Sequence, residues 1–185
     1  MEQGRKVYIS QGCIYCHTQQ VRDPHMGTDL LRGWGTRRTV ARDYIYDTPA
    51  LLGTVRLGPD LSNTGSSEWR NEAKGDTMRP AKRDAAWHYL HLYNPTAIIN
   101  ESIHPPYRYL FEERKISGER PVKALNLVGK EMPGQGYAVV PTPEAVALVG
   151  YLLSLDRSFG LPEAKTALPS APATAGASTA APAAQ

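Results

Sequence analysis

The sequence is poor in cysteine, in long apolar runs and in charge of one sign, and each shortage excludes something. Only two cysteines are present, three positions apart, so no disulfide framework is available to staple the chain. No apolar run approaches the ~20 residues that span a bilayer. Met1-Glu2-Gln3-Gly4 opens straight into a polar helix-like stretch, with no signal peptide pattern. Net charge is only +3. Arg32, Arg37, Arg38 and Arg42 cluster locally and read as a solvated loop face, with a pair of carboxylate-binding or docking arginines as the alternative, and no basic stripe for nucleic acid exists.

Glycine and proline, by contrast, are plentiful, at 16 and 15 residues. Such a composition predicts long loops around a small core. Residues 3–16 are expected to be helical, and so are 84–93, with Asp84 as cap and Trp87, Leu90 and Tyr93 on one inward stripe. A short helix is expected over 96–102. The last helix starts at Thr142-Pro143-Glu144, an N-cap followed by a proline suited to the first helical position. Residues 107–141, broken by Gly118, Pro121, Gly129, Pro133, Gly134 and Gly136, read as loop. The expected organisation is one domain over 1–160, a surface insertion at 66–83, and a disordered Ala/Pro-rich tail at 161–185.

The two cysteines carry the chemistry. Cys13-Ile14-Tyr15-Cys16-His17 has the Cys-x-x-Cys-His spacing of covalent haem attachment. Two thiols can form thioethers to one haem while the adjacent imidazole reaches the iron from below. A zinc ribbon would need a second cysteine pair. A redox dithiol would need an alternating β/α setting. Neither is present. Gly58-Pro59 supplies a stiff loop whose carbonyl can anchor the other ring nitrogen of His17.

At these residues the chain resembles class I cytochromes c over roughly 3–157. Gly4 and Tyr8 match one side of that family's terminal helix crossing, and Leu148 and Tyr151 match the other. The resemblance implies an all-α class I cytochrome c fold, with helices packed around one covalent haem and long loops. A narrower resemblance rests on Gly12 to Arg22, Tyr46-Asp47, Gly58-Pro59-Asp60-Leu61, Trp87-His88-Tyr89-Leu90, Asn94-Pro95 and Glu101-Ser102-Ile103 with Pro105 and Tyr107. These look like the monohaem (CcoO-like) subunit of cbb3-type cytochrome c oxidases. That implies an electron carrier, not itself an enzyme, in a respiratory chain on the periplasmic side of a bacterial membrane. It also implies redox partners among haem–copper oxidase subunits and other cytochromes c. Membrane association is expected only through an anchor outside this chain or through partner subunits.

The second axial ligand stays open between two residues. His104 stands in Ser102-Ile103-His104-Pro105, where the resembling subunit carries methionine. Met132-Pro133 lies shortly before the last helix, where small class I cytochromes carry theirs. Local context favours His104, and Met132 is the alternative. Methionine opposite histidine raises the reduction potential, whereas a second imidazole lowers it, which sits awkwardly with feeding an oxidase. His88 and His91 read as polar surface or interhelix residues rather than ligands. Leu52, Leu57, Leu61, Ile98, Ile103, Val149 and Leu152 are expected to form an apolar shell. Trp34, Trp87, Tyr44, Tyr46, Tyr107, Arg56 and Arg108 are candidates to line the ring or hold its propionates. Two other functions fit the motif: a five-coordinate haem sensor or enzyme, and an assembly subunit.

Overall fold

The computed structural model describes residues 1–53, 55–67 and 83–164. The predicted insertion and tail fall largely outside them, at 68–82 and 165–185. Among the described residues there are three α-helices: α1 (Glu2–Ser10), α2 (Ala85–Tyr93) and α3 (Pro143–Leu152). Two strands, β1 (Phe111–Lys115) and β2 (Tyr137–Pro141), pair antiparallel, with Phe111 opposite Pro141. Short 3₁₀ turns at Cys13–Tyr15, Ala41–Tyr44, Pro95–Ala97, Arg108–Leu110 and Gly129–Glu131 punctuate long irregular segments.

The expected all-α class I cytochrome c fold is therefore corrected: a two-stranded sheet stands between α2 and α3. Prolines and glycines keep 107–141 from continuing as helix. The β-branched Val139 and Val140, with Ala138, then prefer an extended ladder whose side chains are 2–5% exposed. Phe111 meets the rings of Tyr89 and Tyr93 edge-on at 6.4 and 5.3 Å, so the sheet is packed onto α2.

The terminal helices form the centre of the molecule. Thr142 caps α3 by accepting from Ala145 N at 3.3 Å. Ala145, Leu148, Val149, Tyr151 and Leu152 are buried along it. Each large apolar side chain withdrawn from water contributes about 1.5–3 kcal/mol. These residues meet Val7 and Tyr8 of α1 in the same core. Gly4 permits that approach, because a Cβ there would lie 2.0 Å from the Ala147 carbonyl oxygen. Tyr8 packs on Tyr151 with ring centroids 5.8 Å apart.

Several local expectations shift. α1 ends at Ser10, because Gly12 takes a left-handed φ of +73°. The cysteine motif thus sits on its own 3₁₀ turn. The expected 96–102 helix shortens to the turn Pro95–Ala97. Arg37 leaves the solvated arginine face altogether. It is 3% exposed, donates to both carboxylate oxygens of Asp43 at 2.7 and 2.8 Å, and donates to the Phe159 carbonyl at 2.8 Å. Leu161–Ala164 still contact the domain, with Ala164 buried and Glu163 paired with Arg42 at 3.0 Å.

Candidate haem site

The turn Cys13–Tyr15 places His17 directly below it, with the His17 backbone N–H donating to the Cys13 carbonyl at 2.9 Å. Tyr8 reaches from α1 and donates its hydroxyl to the His17 carbonyl, also at 2.9 Å. The 58–61 loop then closes on the motif from the other side. Gly58 N donates to Cys16 O and Leu61 N to Thr18 O, each at 3.0 Å. His17 Nδ1 lies 2.8 Å from the Pro59 carbonyl oxygen. That contact leaves Nε2 as the free donor nitrogen of a neutral ring. Gly58 matters here for its missing side chain: a Cβ would fall 2.1 Å from His17 Cε1.

His104 faces this imidazole. The two ring centroids are 6.1 Å apart, with planes inclined by 48°. A metal–imidazole bond is about 2.0–2.1 Å long. Adding about 1.1 Å from each nitrogen to its ring centre, two imidazoles on opposite sides of one metal ion stand about 6.3 Å apart. The observed centroid spacing is close to that value. Among the described residues, no three His, Cys, Asp or Glu side chains converge on one point. Two neighbouring imidazoles and two free cysteines are a donor set that would suit a haem, which would supply the remaining ligands of its iron itself. Met132, the alternative ligand, is 62% exposed at the end of the Gly129–Glu131 turn.

The electrostatics agree with neutral donors. Burial pushes the basicity of His17 down, against the opposing pull of the Pro59 carbonyl and the Asp60 carboxylate. Burial lowers His104 to about 4, helped by His17 and opposed by the Pro105 carbonyl. Burial raises the Cys13 thiol to about 11, with Cys16 adding to the rise. A thiol held protonated at neutral pH is a poor redox nucleophile.

The surroundings match the sequence expectation in part. Tyr107, a named candidate, lies beside His104 with ring centroids 5.5 Å apart, and His91, not expected there, lies 4.7 Å away. Trp87 stacks on His91 at 4.7 Å and 15°. The buried residues of α2 are His88, Tyr89 and Leu92, and of the expected stripe Tyr93 packs partly buried on the core while Trp87 and Leu90 are half-buried. Sequence reasoning therefore misses His91. Its spacing of four residues from Trp87 on a helix is the available signal. Of the expected shell, Val149 and Leu152 are core residues, while Leu57 and Ile103 are 66% and 79% exposed. Leu57 and Ile103 adjoin Gly58 and His104 in the chain, where a flat apolar group would need cover.

Other candidates have structural duties. Tyr44 donates to Gln19 O and Thr39 Oγ1, and Tyr46 is 97% exposed. Arg56 donates to Asp29 at 2.7 Å and Arg108 to Glu131 at 2.8 Å, so both already hold carboxylates. Trp34 is 8% exposed and stacks beneath the guanidinium groups of Arg32 and Arg56.

No helix among the described residues is long and apolar enough to cross a membrane. No curated protein matches the chain. A family model does match, over residues 1–135, and its description is cytochrome c oxidase, mono-haem subunit/FixO. The match spans the Cys-x-x-Cys-His turn, the Gly58-Pro59 loop, α2 and His104, and the family brings one haem, electron transport and the other oxidase subunits as partners. The chain belongs to the mono-haem subunit family of cytochrome c oxidase, the CcoO-like subunit of the cbb3 type.

Proposed function

We propose that the chain holds one haem c through thioether bonds to Cys13 and Cys16, with His17 and His104 as axial ligands. In this reading it is not itself an enzyme. It relays single electrons among cytochromes c and the haem–copper subunits of a respiratory oxidase, on the periplasmic side of a bacterial membrane. The observation that carries the reading is the 6.1 Å separation of the His17 and His104 rings.

The haem supplies a one-electron ferric/ferrous couple. The chain's residues fix its surroundings. Pro59 holds the His17 ring by its Nδ1 proton, which keeps the ring oriented and strengthens it as a donor. Cys13 and Cys16 sit on the turn that directly precedes His17, so attachment and ligation share one rigid piece of backbone. His104 would supply a second imidazole, which would favour the ferric form and lower the potential relative to a methionine partner. If His17 and His104 both ligated the iron, no position would be left for a gas or peroxide. This supports a carrier over a five-coordinate sensor.

Absorption and near-infrared spectra of the ferric holoprotein test the ligand set. His104→Ala is expected to lose the low-spin spectrum, and Met132→Ala to keep it. A sulfur–iron charge-transfer band that disappears only in Met132→Ala would transfer the ligand role to Met132.

A further inference from the structure

A ligating imidazole spends one nitrogen on the metal and needs an acceptor for the proton on the other. His17 has its acceptor in the Pro59 carbonyl. His104 Nδ1, by contrast, is buried and makes no hydrogen bond of normal geometry, to His91 or to any other group, with the Pro105 carbonyl as the competing acceptor, and His91 Nδ1 is likewise buried and unbonded. The two rings that carry these atoms touch, with centroids 4.7 Å apart and planes inclined by 41°. We infer that His91 accepts a hydrogen bond from His104 Nδ1 and is the positioning residue of the distal imidazole. The inference rests on the reading of His104 as the second axial ligand.

The geometry and the energetics point the same way. An N–H···N bond of about 2.9 Å between two imidazoles puts their centroids about 5 Å apart, and 4.7 Å is that spacing to within a small turn of the rings. A buried polar group left unpaired costs about 1–3 kcal/mol. One bond relieves two such groups together, because a neutral imidazole carries one donor and one acceptor. His91 is also held in place to receive it. Its opposite partner, Trp87, stacks at 4.7 Å and 15°, one turn earlier on α2. The Asp84 side chain caps that helix by accepting from Trp87 N at 2.7 Å. A run from Asp84 through Trp87 and His91 thus fixes the plane of His104 from α2, while Pro59 fixes His17 from the opposite loop.

An acceptor on Nδ1 makes His104 a stronger donor and so stabilises ferric iron. The test uses the loaded holoprotein, with His91→Phe to keep the stack on Trp87 and remove the acceptor, and His91→Asn to keep an acceptor. Wild-type ferric protein should give a bis-imidazole electron paramagnetic resonance spectrum. In His91→Phe the ferric-to-ferrous ratio at fixed ambient potential should fall about tenfold, equivalent to 59 mV for one electron, with shifted g-values. His91→Asn should recover most of both. A bis-imidazole wild type with an unchanged His91→Phe would overturn the inference and assign the proton to the Pro105 carbonyl, leaving the ligand reading intact. A wild type without the bis-imidazole signal would overturn the ligand reading itself, and this inference with it. Nitrogen-15 histidine spectra of the ferrous wild type read the same bond without a substitution: a coupling between His91 and His104 ring nitrogens supports it, and its absence counts against it.

Discussion

The Cα of Gly4 lies against the Ala147 carbonyl so closely that a methyl group on it would sit 2.0 Å from the oxygen and 2.6 Å from Tyr151 Cβ. Both neighbours are fixed parts of α3, so neither can swing aside. Gly150, on the same helix, is exposed, and a methyl group added there would have nothing within 4 Å. The same substitution should therefore have opposite signs at the two sites. Gly4→Ala should destabilise by about 2 kcal/mol through overpacking, lowering Tm by about 4–8 °C. Gly150→Ala should stabilise by about 0.5–1 kcal/mol by restricting the unfolded chain. Thermal denaturation of the two variants checks both, and a neutral Gly4→Ala would show that the helices can separate there.

Gly58 offers a comparable test at the haem site. Its Cβ would collide with the His17 ring at 2.1–2.7 Å. Gly58→Ala should displace the imidazole from its place beside Pro59 and reduce the low-spin, haem-loaded fraction about tenfold or more. Gly134→Ala, whose nearest neighbour would be 3.9 Å away, serves as the control and should load normally. Absorption spectra normalised to protein measure the two fractions.

The Arg37–Asp43 pair predicts a pH dependence. Burial alone would raise the Asp43 carboxyl, but the Arg37 hydrogen bonds, the Val40 N–H and the charges of Arg37 and Arg157 outweigh it, so the net shift is downward. A carboxyl with a depressed folded pKa stabilises fully above its unfolded value and loses that contribution as pH falls through the folded one. Asp43→Asn should cost about 3–5 kcal/mol at neutral pH, because Arg37 is left charged and buried. The gap between the two proteins should hold down to about pH 4 and narrow below it. Urea midpoints from pH 7 to pH 3 follow it, and a gap unchanged with acidity would contradict the assignment.

Gln19 and Tyr151 exchange two hydrogen bonds in the interior, at 2.9 and 3.0 Å. Tyr151→Phe should strand the Gln19 amide and cost about 1–3 kcal/mol. The double variant with Gln19→Leu should cost less than the sum of the single changes. A double-mutant cycle by urea denaturation gives the coupling directly.

What is legible in the sequence is what is local. Cys13, Cys16 and His17 are tied by spacing, and Asp84 and Thr142 announce helix starts within three residues of the groups they cap. Pro59 belongs beside His17 because a ligating imidazole needs an anchor, and the two atoms lie 2.8 Å apart. What escapes depends on distant pairing. β1 reads Phe-Glu-Glu-Arg-Lys, a charged stretch whose extended form is set by β2. Arg37 looks like any loop arginine until Phe159 and Asp43 close over it. His91 escapes because α2 has apolar residues on two faces, and the sequence alone favours the stripe through Trp87 and Tyr93 over the one through His88 and Leu92.

The crossing of α1 and α3 separates two boundaries that usually coincide. Kinship is readable over residues 1–135, yet Val7 and Tyr8 at one end of that span are covered by Leu148 and Val149, which lie beyond it. β1, also inside the span, finds its ladder partner at 137–141. A chain cut where the resemblance stops would keep every haem-binding candidate and still expose the floor on which they stand. The described residues 136–164 thus act as a keystone: they contribute none of the chemistry and determine whether the chemistry has a place to happen.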